Sequence, residues 1–192
     1  MPNKIAYFDY LASMGQNDYL LRIVRYHDDD IEALKVYFEL LKKGQTIVPL
    51  SYVGYTPEEL DDTCDSQLSE CELGCVFLLF AYIEALFQND CKSRVVHKLK
   101  HAENLSQRLI TSFACKYSNS QPIPILGILK DWISETPIHT GLLNELRQGF
   151  RYIRHWFAHG RYWHPKPKQI DLQKYTFQYV YTLAEEVRKN IV

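Results

Sequence analysis

Residues 66 to 87 read Ser-Gln-Leu-Ser-Glu-Cys-Glu-Leu-Gly-Cys-Val-Phe-Leu-Leu-Phe-Ala-Tyr-Ile-Glu-Ala-Leu-Phe. Leu68, Cys71, Cys75, Leu78, Leu79, Tyr82 and Leu86 recur at steps of three and four, the repeat of an α-helix and not of a strand. The spacing predicts a long helix at the centre of a core. Cys71 and Cys75, one turn apart on its apolar side, read as small buried thiols. Glu84 lies in the most apolar half, where a carboxylate needs a cationic partner. That partner is either a site arginine or a purely structural lysine or arginine.

The flanking sequence is read as more helices. Asp28, Asp29 and Asp30 precede Ile31, Leu34, Val36, Phe38, Leu40 and Leu41, and Gly44 follows Lys42 and Lys43 as a stop, which predicts a helix. Ile5 to Met14 is weakly periodic, and Tyr19 to Tyr26 fits strand or helix. Thr46 to Tyr55, with Ile47, Val48, Pro49, Val53 and Gly54, reads as a short strand or an ordered loop, and Pro57 with acidic residues 58–62 opens a helical or loop segment. Val95 to Lys100 and Leu105 to Phe113 read as helical, Pro122 and Pro124 break the path, and Ile125 to Ile133 restarts it. Leu142, Leu146, Phe150, Ile153 and Phe157 then fall within about 80° of one another on a helical wheel, with Arg147, Arg151, Arg154 and His155 on another side. Gly160 ends that helix, Pro165 and Pro167 mark a loop, and Leu172 to Val187 form a last helix rich in tyrosine. Tyr175, Tyr179 and Tyr181 are expected to cover a bundle or dimer surface. The fold class is all-α.

Composition narrows the function. A chain of 192 residues with 46% hydrophobic content buries a core of its own as one domain. A net charge of -1 provides no global field for nucleic acid, so such contact must come from a local basic patch, which Arg147, Arg151, Arg154 and Arg161 supply. The five cysteines show no zinc-finger spacing and the first twenty residues no charged-then-apolar signal, so a reducing cytoplasm is expected. No apolar run has the length of a membrane span, because Val76 to Phe87 is short and carries Glu84.

Function is sought in residues 154 to 163, Arg-His-Trp-Phe-Ala-His-Gly-Arg-Tyr-Trp. An arginine holds an oxyanion and a histidine moves protons near neutral pH, the two tasks needed to break a phosphodiester without a metal. Five residues along an ideal helix rotate by about 500°, which leaves Arg154 and His159 roughly 140° apart. They do not share a face. A helix that stops at Gly160 puts His159 in its final turn, where the chain can re-aim the ring toward Arg154, or the arginine comes from a second subunit. The negative end of a helix also favours imidazolium.

Arg154, four intervening residues, His159 and Gly160, with Ala158 before the histidine, resemble the Arg-x(4-6)-His motif of HEPN domains. The resemblance spans about Ser66 to Val192. It implies a helical bundle over residues 66–192, with residues 1–65 before it as an extension or additional helices, among which the short strand or ordered loop at 46–55 falls. Many catalytic HEPN proteins are metal-independent endoribonucleases of toxin–antitoxin or anti-phage systems, and they usually dimerise so that two motifs face one cleft. A recurrent acidic residue on an earlier core helix maps to Glu84, which would orient Arg154. Where members often have a polar residue after the arginine, this chain has His155; where some have a tyrosine two residues past the histidine, it has Arg161, with Tyr162 next.

The residues also define the chemistry directly. RNA carries its own nucleophile, so a site has to deprotonate the 2′-hydroxyl, balance charge on the phosphorane and protonate the leaving 5′-oxygen. His159 is assigned acid–base transfer, Arg154 the phosphate clamp, and Arg151, His155, Arg161 and Tyr162 secondary roles in binding or proton delivery. Trp156, Trp163 or Tyr162 would stack on bases, although either tryptophan fits a core equally well. No cofactor or metal is expected: His97 and His101, and His155 and His159, are a turn apart, with His164 beyond, but no carboxylate or cysteine spacing accompanies them. Two other classes stay open: a non-catalytic module holding RNA, a nucleotide or a protein, and a structural helical protein whose arginines bind carboxylates. Expected partners are RNA, a second copy of the chain, and an antitoxin or regulatory protein.

Overall fold

The structure is a computed structural model, described here for residues 16–97, 103–155 and 172–190. Within them the chain forms six α-helices and no strand: α1 (Gln16–Lys42), α2 (Pro57–Val95), α3 (Asn104–Ser118), α4 (Ile125–Glu135), α5 (Thr140–Gly149) and α6 (Phe177–Asn190). α5 runs on into a π-helical turn, Phe150–Arg154. None of the described helices is long and apolar enough to cross a membrane.

α2 is the axis. It starts on a capping box in which Thr56 accepts from the Glu59 N–H and Glu59 accepts from the Thr56 N–H, with Pro57 in the first turn. It then runs unbroken for 39 residues, joining two segments that the sequence reading had left separate. From Val76 to Phe87 it is buried nearly all round, with Val76, Leu79, Phe80, Tyr82, Ile83, Ala85, Leu86 and Phe87 inside, because α1, α3, α4, α6 and the π turn pack against it. The periodic stripe at residues 68–86 therefore predicted the right helix and its central place.

α1 begins twelve residues before Asp28, at Gln16, so Tyr19 to Tyr26 is helix and not strand. Leu20 and Ile23 enter the main core. Phe38 and Leu41, farther along, close a separate small core with Leu60 and Cys64 of α2. Gly44, in the left-handed region at φ +63°, ends α1 as expected. Residues 46–55 form an ordered loop with one 3-10 turn, Leu50–Tyr52, and not a strand. Ile47 and Leu50 stand 89% and 94% exposed there, and among the described residues no strand lies beside them to form a sheet edge.

α6 docks back on α2 through its buried face, Phe177, Val180, Leu183, Ala184 and Val187, and its start meets an acid of α2. Glu72 accepts from the Phe177 N–H at 3.2 Å, supplying one of the acceptors that a helix start lacks. His27 of α1 stacks on the Phe177 ring, centroids 3.7 Å apart. Tyr175 is buried in the core and not on a surface, whereas Tyr179 and Tyr181 are half-buried. Glu145 of α5 takes a 2.6 Å ion pair from Lys174 and a 3.1 Å bond from the Tyr179 hydroxyl. The Lys174 bond above all, then the Tyr179 hydroxyl, holds this carboxyl below its ordinary pKa of 4.5. A depressed carboxyl stabilises the fold above its unfolded pKa and loses that contribution as pH falls through its folded one. Glu145→Gln should thus lower the melting temperature near about pH 6 by the equivalent of under about 1 kcal/mol, since the pair is part-exposed, and the gap from wild type should close toward about pH 3. A gap that widened in acid would contradict the assignment.

Gly149 decides how close α5 lies to α2. A Cβ there would come within 2.5 Å of Phe80 Cζ and 3.1 Å of Tyr175 Cε1, and Phe80 is wholly buried. Gly-to-Ala in a helix usually gains about 1 kcal/mol, but overpacking a filled core costs about 1–3 kcal/mol or more. The clash should win. Gly149→Ala is expected to lower the melting temperature by several degrees, at about 2–4 °C per kcal/mol for a chain of this size; a stabilised variant would show that Phe80 can yield.

Candidate functional site

The segment that carries the motif arginine leaves α5 through a change of helical type. Leu143, Leu146, Phe150 and Ile153 are buried, and Phe150 meets Phe80 edge-on at 5.2 Å. On a regular helix Arg154 sits only about 40° from Phe150, so it belongs to the border of the core stripe and not to an opposite side. This corrects the reading that placed core and arginines on separate faces. Arg147, Arg151 and His155 are exposed as expected, whereas Arg154 is half-buried. Its backbone closes the π turn Phe150–Arg154, a wider i→i+5 turn that is rare and concentrated at functional sites.

Arg154 finds a partner 70 residues earlier in the chain. Its Nη2 donates to Glu84 Oε2 at 2.9 Å, with the Glu84 side chain 13% and the Arg154 side chain 34% exposed. The acid in the apolar half of α2 is thus paired with the motif arginine. A charge-assisted bond of this length fixes where the guanidinium points, and a guanidinium has five N–H donors, more than this one bond uses. This is the clearest constellation that the structure assembles from sequence-predicted residues.

A cavity of about 550 Å3 opens beside the pair. Arg151, Arg154, His155 and Glu84 line it together with Tyr152 and with Pro124, Ile125 and Leu126 at the start of α4. The Arg151 guanidinium carbon lies 5.5 Å from the centre of the Tyr152 ring, close enough for a cation–π contact. Arg147 is exposed on the same helix but outside the cavity wall. His159, with Trp156, Arg161, Tyr162 and Trp163, lies outside the described residues.

A larger hollow, about 830 Å3, lies next to Arg94 and Trp132, yet its one buried cation is already engaged. Arg94 is 3% exposed and donates to Asp90 at 2.7 Å, Glu103 at 2.7 Å and the Ser106 hydroxyl at 3.2 Å, with its guanidinium 5.3 Å from the Trp132 ring centre. This is a clamp between α2, α3 and α4, not a waiting site. The sequence reading passed over it, although Asp90 and Arg94 stand at the i,i+4 spacing of a helical ion pair. It also missed Tyr152 and Leu126, since the prolines at 122 and 124 were read only as breakers.

Compared with known family models, curated proteins and solved structures, the chain matches none. Function therefore rests on the site. Removing Glu84 would test whether the pair couples α2 to the π turn. Glu84→Ala should cost about 1–2 kcal/mol, more than an exposed ion pair and less than a fully buried one. In an Arg154→Ala background the same change should cost less, with a coupling of about 1 kcal/mol in a double-mutant cycle on urea unfolding. Additive effects would mean that the contact holds nothing together.

Proposed function

We propose that this chain is a HEPN-like endoribonuclease that cleaves RNA without a metal, by attack of the 2′-hydroxyl on the adjacent phosphate. The observation that carries the reading is the Arg154–Glu84 ion pair in the lining of an open cavity. A part-exposed guanidinium anchored by a carboxylate is suited to meet a phosphate without first having to be ordered. Glu84 serves as the positioning residue for Arg154.

His159 supplies the proton transfers that Arg154 cannot, since a guanidinium stays protonated and only an imidazole exchanges protons near neutral pH. The 2′-oxygen bonds to phosphorus as its proton leaves to a base, Arg154 balances the charge that grows on the non-bridging oxygens, and the 5′-oxygen departs with a proton from an acid. The products are a 2′,3′-cyclic phosphate and a 5′-hydroxyl. Arg151 and His155 guide the RNA backbone toward the cavity from its lining, joined by Arg147 and Arg161, and Trp156, Tyr162 or Trp163 offers stacking surface.

Two copies of the chain related by a twofold axis would set two such motifs across one cleft. An enzyme that cuts cellular RNA has to be restrained, so an antitoxin or regulatory protein is the partner expected in a toxin or phage-defence setting. A reducing cytoplasm, where RNA is made and used, fits both the free thiols and the substrate. The alternative is a HEPN-like module that holds RNA, a nucleotide or a protein without cutting; Arg161 where some members have a tyrosine and the net charge of -1 are both compatible with it. Expression of wild type beside Arg154→Ala and His159→Ala separates the two. Growth arrest and RNA fragmentation lost in both variants support cleavage; fragmentation that survives His159→Ala removes it.

A further inference from the structure

The cavity beside Arg154 is built of two unlike parts. Its lining combines the cationic Arg151 and Arg154, His155 and the Glu84 carboxylate with the apolar Ile125 and Leu126 of α4 and the Tyr152 ring of the π turn. A bare phosphate or a sugar would satisfy the charged groups and leave the apolar walls in water. An apolar ligand would fill the space between the apolar walls and leave unused the guanidinium of Arg151 and the donors of Arg154 that Glu84 does not take. A nucleotide meets both needs, since it joins a charged phosphate to a flat ring with apolar faces. The size agrees: 550 Å3 falls within the range of small-molecule sites, which are mostly apolar with a few placed polar groups.

The arrangement of the residues sharpens this. Arg151 and Tyr152 are consecutive, and the guanidinium of the first stands 5.5 Å over the ring of the second. The cation that would meet a phosphate is thereby tied to the surface that would meet a base. In the same lining, Ile125 is buried while Leu126 is 37% exposed, so the leucine is an accessible wall and not a core residue.

We infer that this cavity seats the nucleobase next to the phosphate held by Arg154, with Tyr152 and Leu126 as the walls that set which base is accepted. The inference rests on the proposed RNA cleavage for its setting, but it is tested by binding alone. Wild type is titrated by calorimetry with the four ribonucleoside 3′-monophosphates and, separately, with inorganic phosphate. At least one nucleotide should bind about tenfold or more tightly than phosphate, the effect of stacking one base. Leu126→Trp, which fills the cavity from an exposed position, should erase that preference and leave phosphate affinity within about twofold, with unchanged circular dichroism.

Equal affinity for nucleotides and phosphate in wild type, no binding of either, or a preference that survives Leu126→Trp would each overturn the inference. RNA cleavage is measured on the same samples. A nucleotide preference that depends on Leu126 in a protein that does not cut RNA leaves the base seat standing and defeats the cleavage reading. Cutting that requires His159, together with a cut-site pattern and nucleotide affinities indifferent to Leu126→Trp, does the reverse.

Discussion

Arg154→Ala and His159→Ala are each expected to lower kcat/KM for RNA by about 10² to 10⁴-fold. A positioned acid or base contributes about that much to a proton transfer, and the loss of one donor to a developing oxyanion costs about 10² to 10³-fold. The double variant should be little worse than the weaker single one, because groups that serve one transition state fail as a unit. Arg154→Lys should recover only part of the loss. An ammonium carries the charge but cannot keep a donor on Glu84 while presenting a flat pair of donors to a phosphate. Melting curves on the same samples separate chemistry from folding, since Arg154 is part-exposed and its removal should leave a folded protein that does not cut.

The largest loss of stability should come from a residue with no part in that chemistry. Arg94→Ala would leave Asp90, 11% exposed, without the cation that now sits 2.7 Å away, and would empty the space beside Trp132. Breaking a buried pair from one side costs about 3–5 kcal/mol, which for a chain of this length lowers the melting temperature by on the order of 10 °C. Glu103, the second partner, is 50% exposed and returns to water easily. Asp90→Asn on top of Arg94→Ala should therefore restore part of the stability, because it removes the stranded charge. An additive double variant would mean that the clamp acts through packing against Trp132 and not through charge.

These two arginines show how unevenly sequence speaks. The central helix was legible because its apolar residues recur at three and four, and nothing but a helix buries that pattern. Its true length was not, since residues 57–65 are too polar to show periodicity and only Thr56-Pro57-Glu58-Glu59 signals the start. The segment at 46–55 has the residues of a strand, but among the described residues no strand stands beside it, and a strand needs one; it is a loop. The wheel put Arg154 with the other arginines, away from the core, although it lies only about 40° from Phe150, and the π turn that accompanies its inward placement has no local sequence signal. Glu84 needed a cationic partner by its place in an apolar helix, but periodicity alone did not say which one; Arg154, 70 residues on, meets it only when the π turn packs on α2. Arg94 went unread because a single i,i+4 pair is common on surfaces, and its burial depends on Glu103 at the cap of α3 and Trp132 of α4 coming to it. Leu126 and Tyr152 likewise meet only when α4 and the π turn pack.

The central claim is that Arg154 and His159 act on one phosphodiester. The most direct measurement is to incubate purified protein with end-labelled single-stranded RNA in excess chelator and to identify the termini formed. The account predicts fragments that end in a 2′,3′-cyclic phosphate and begin with a 5′-hydroxyl, formed by wild type and absent with either Arg154→Ala or His159→Ala. Intact RNA in the wild-type reaction, or fragments that persist without His159, would contradict it.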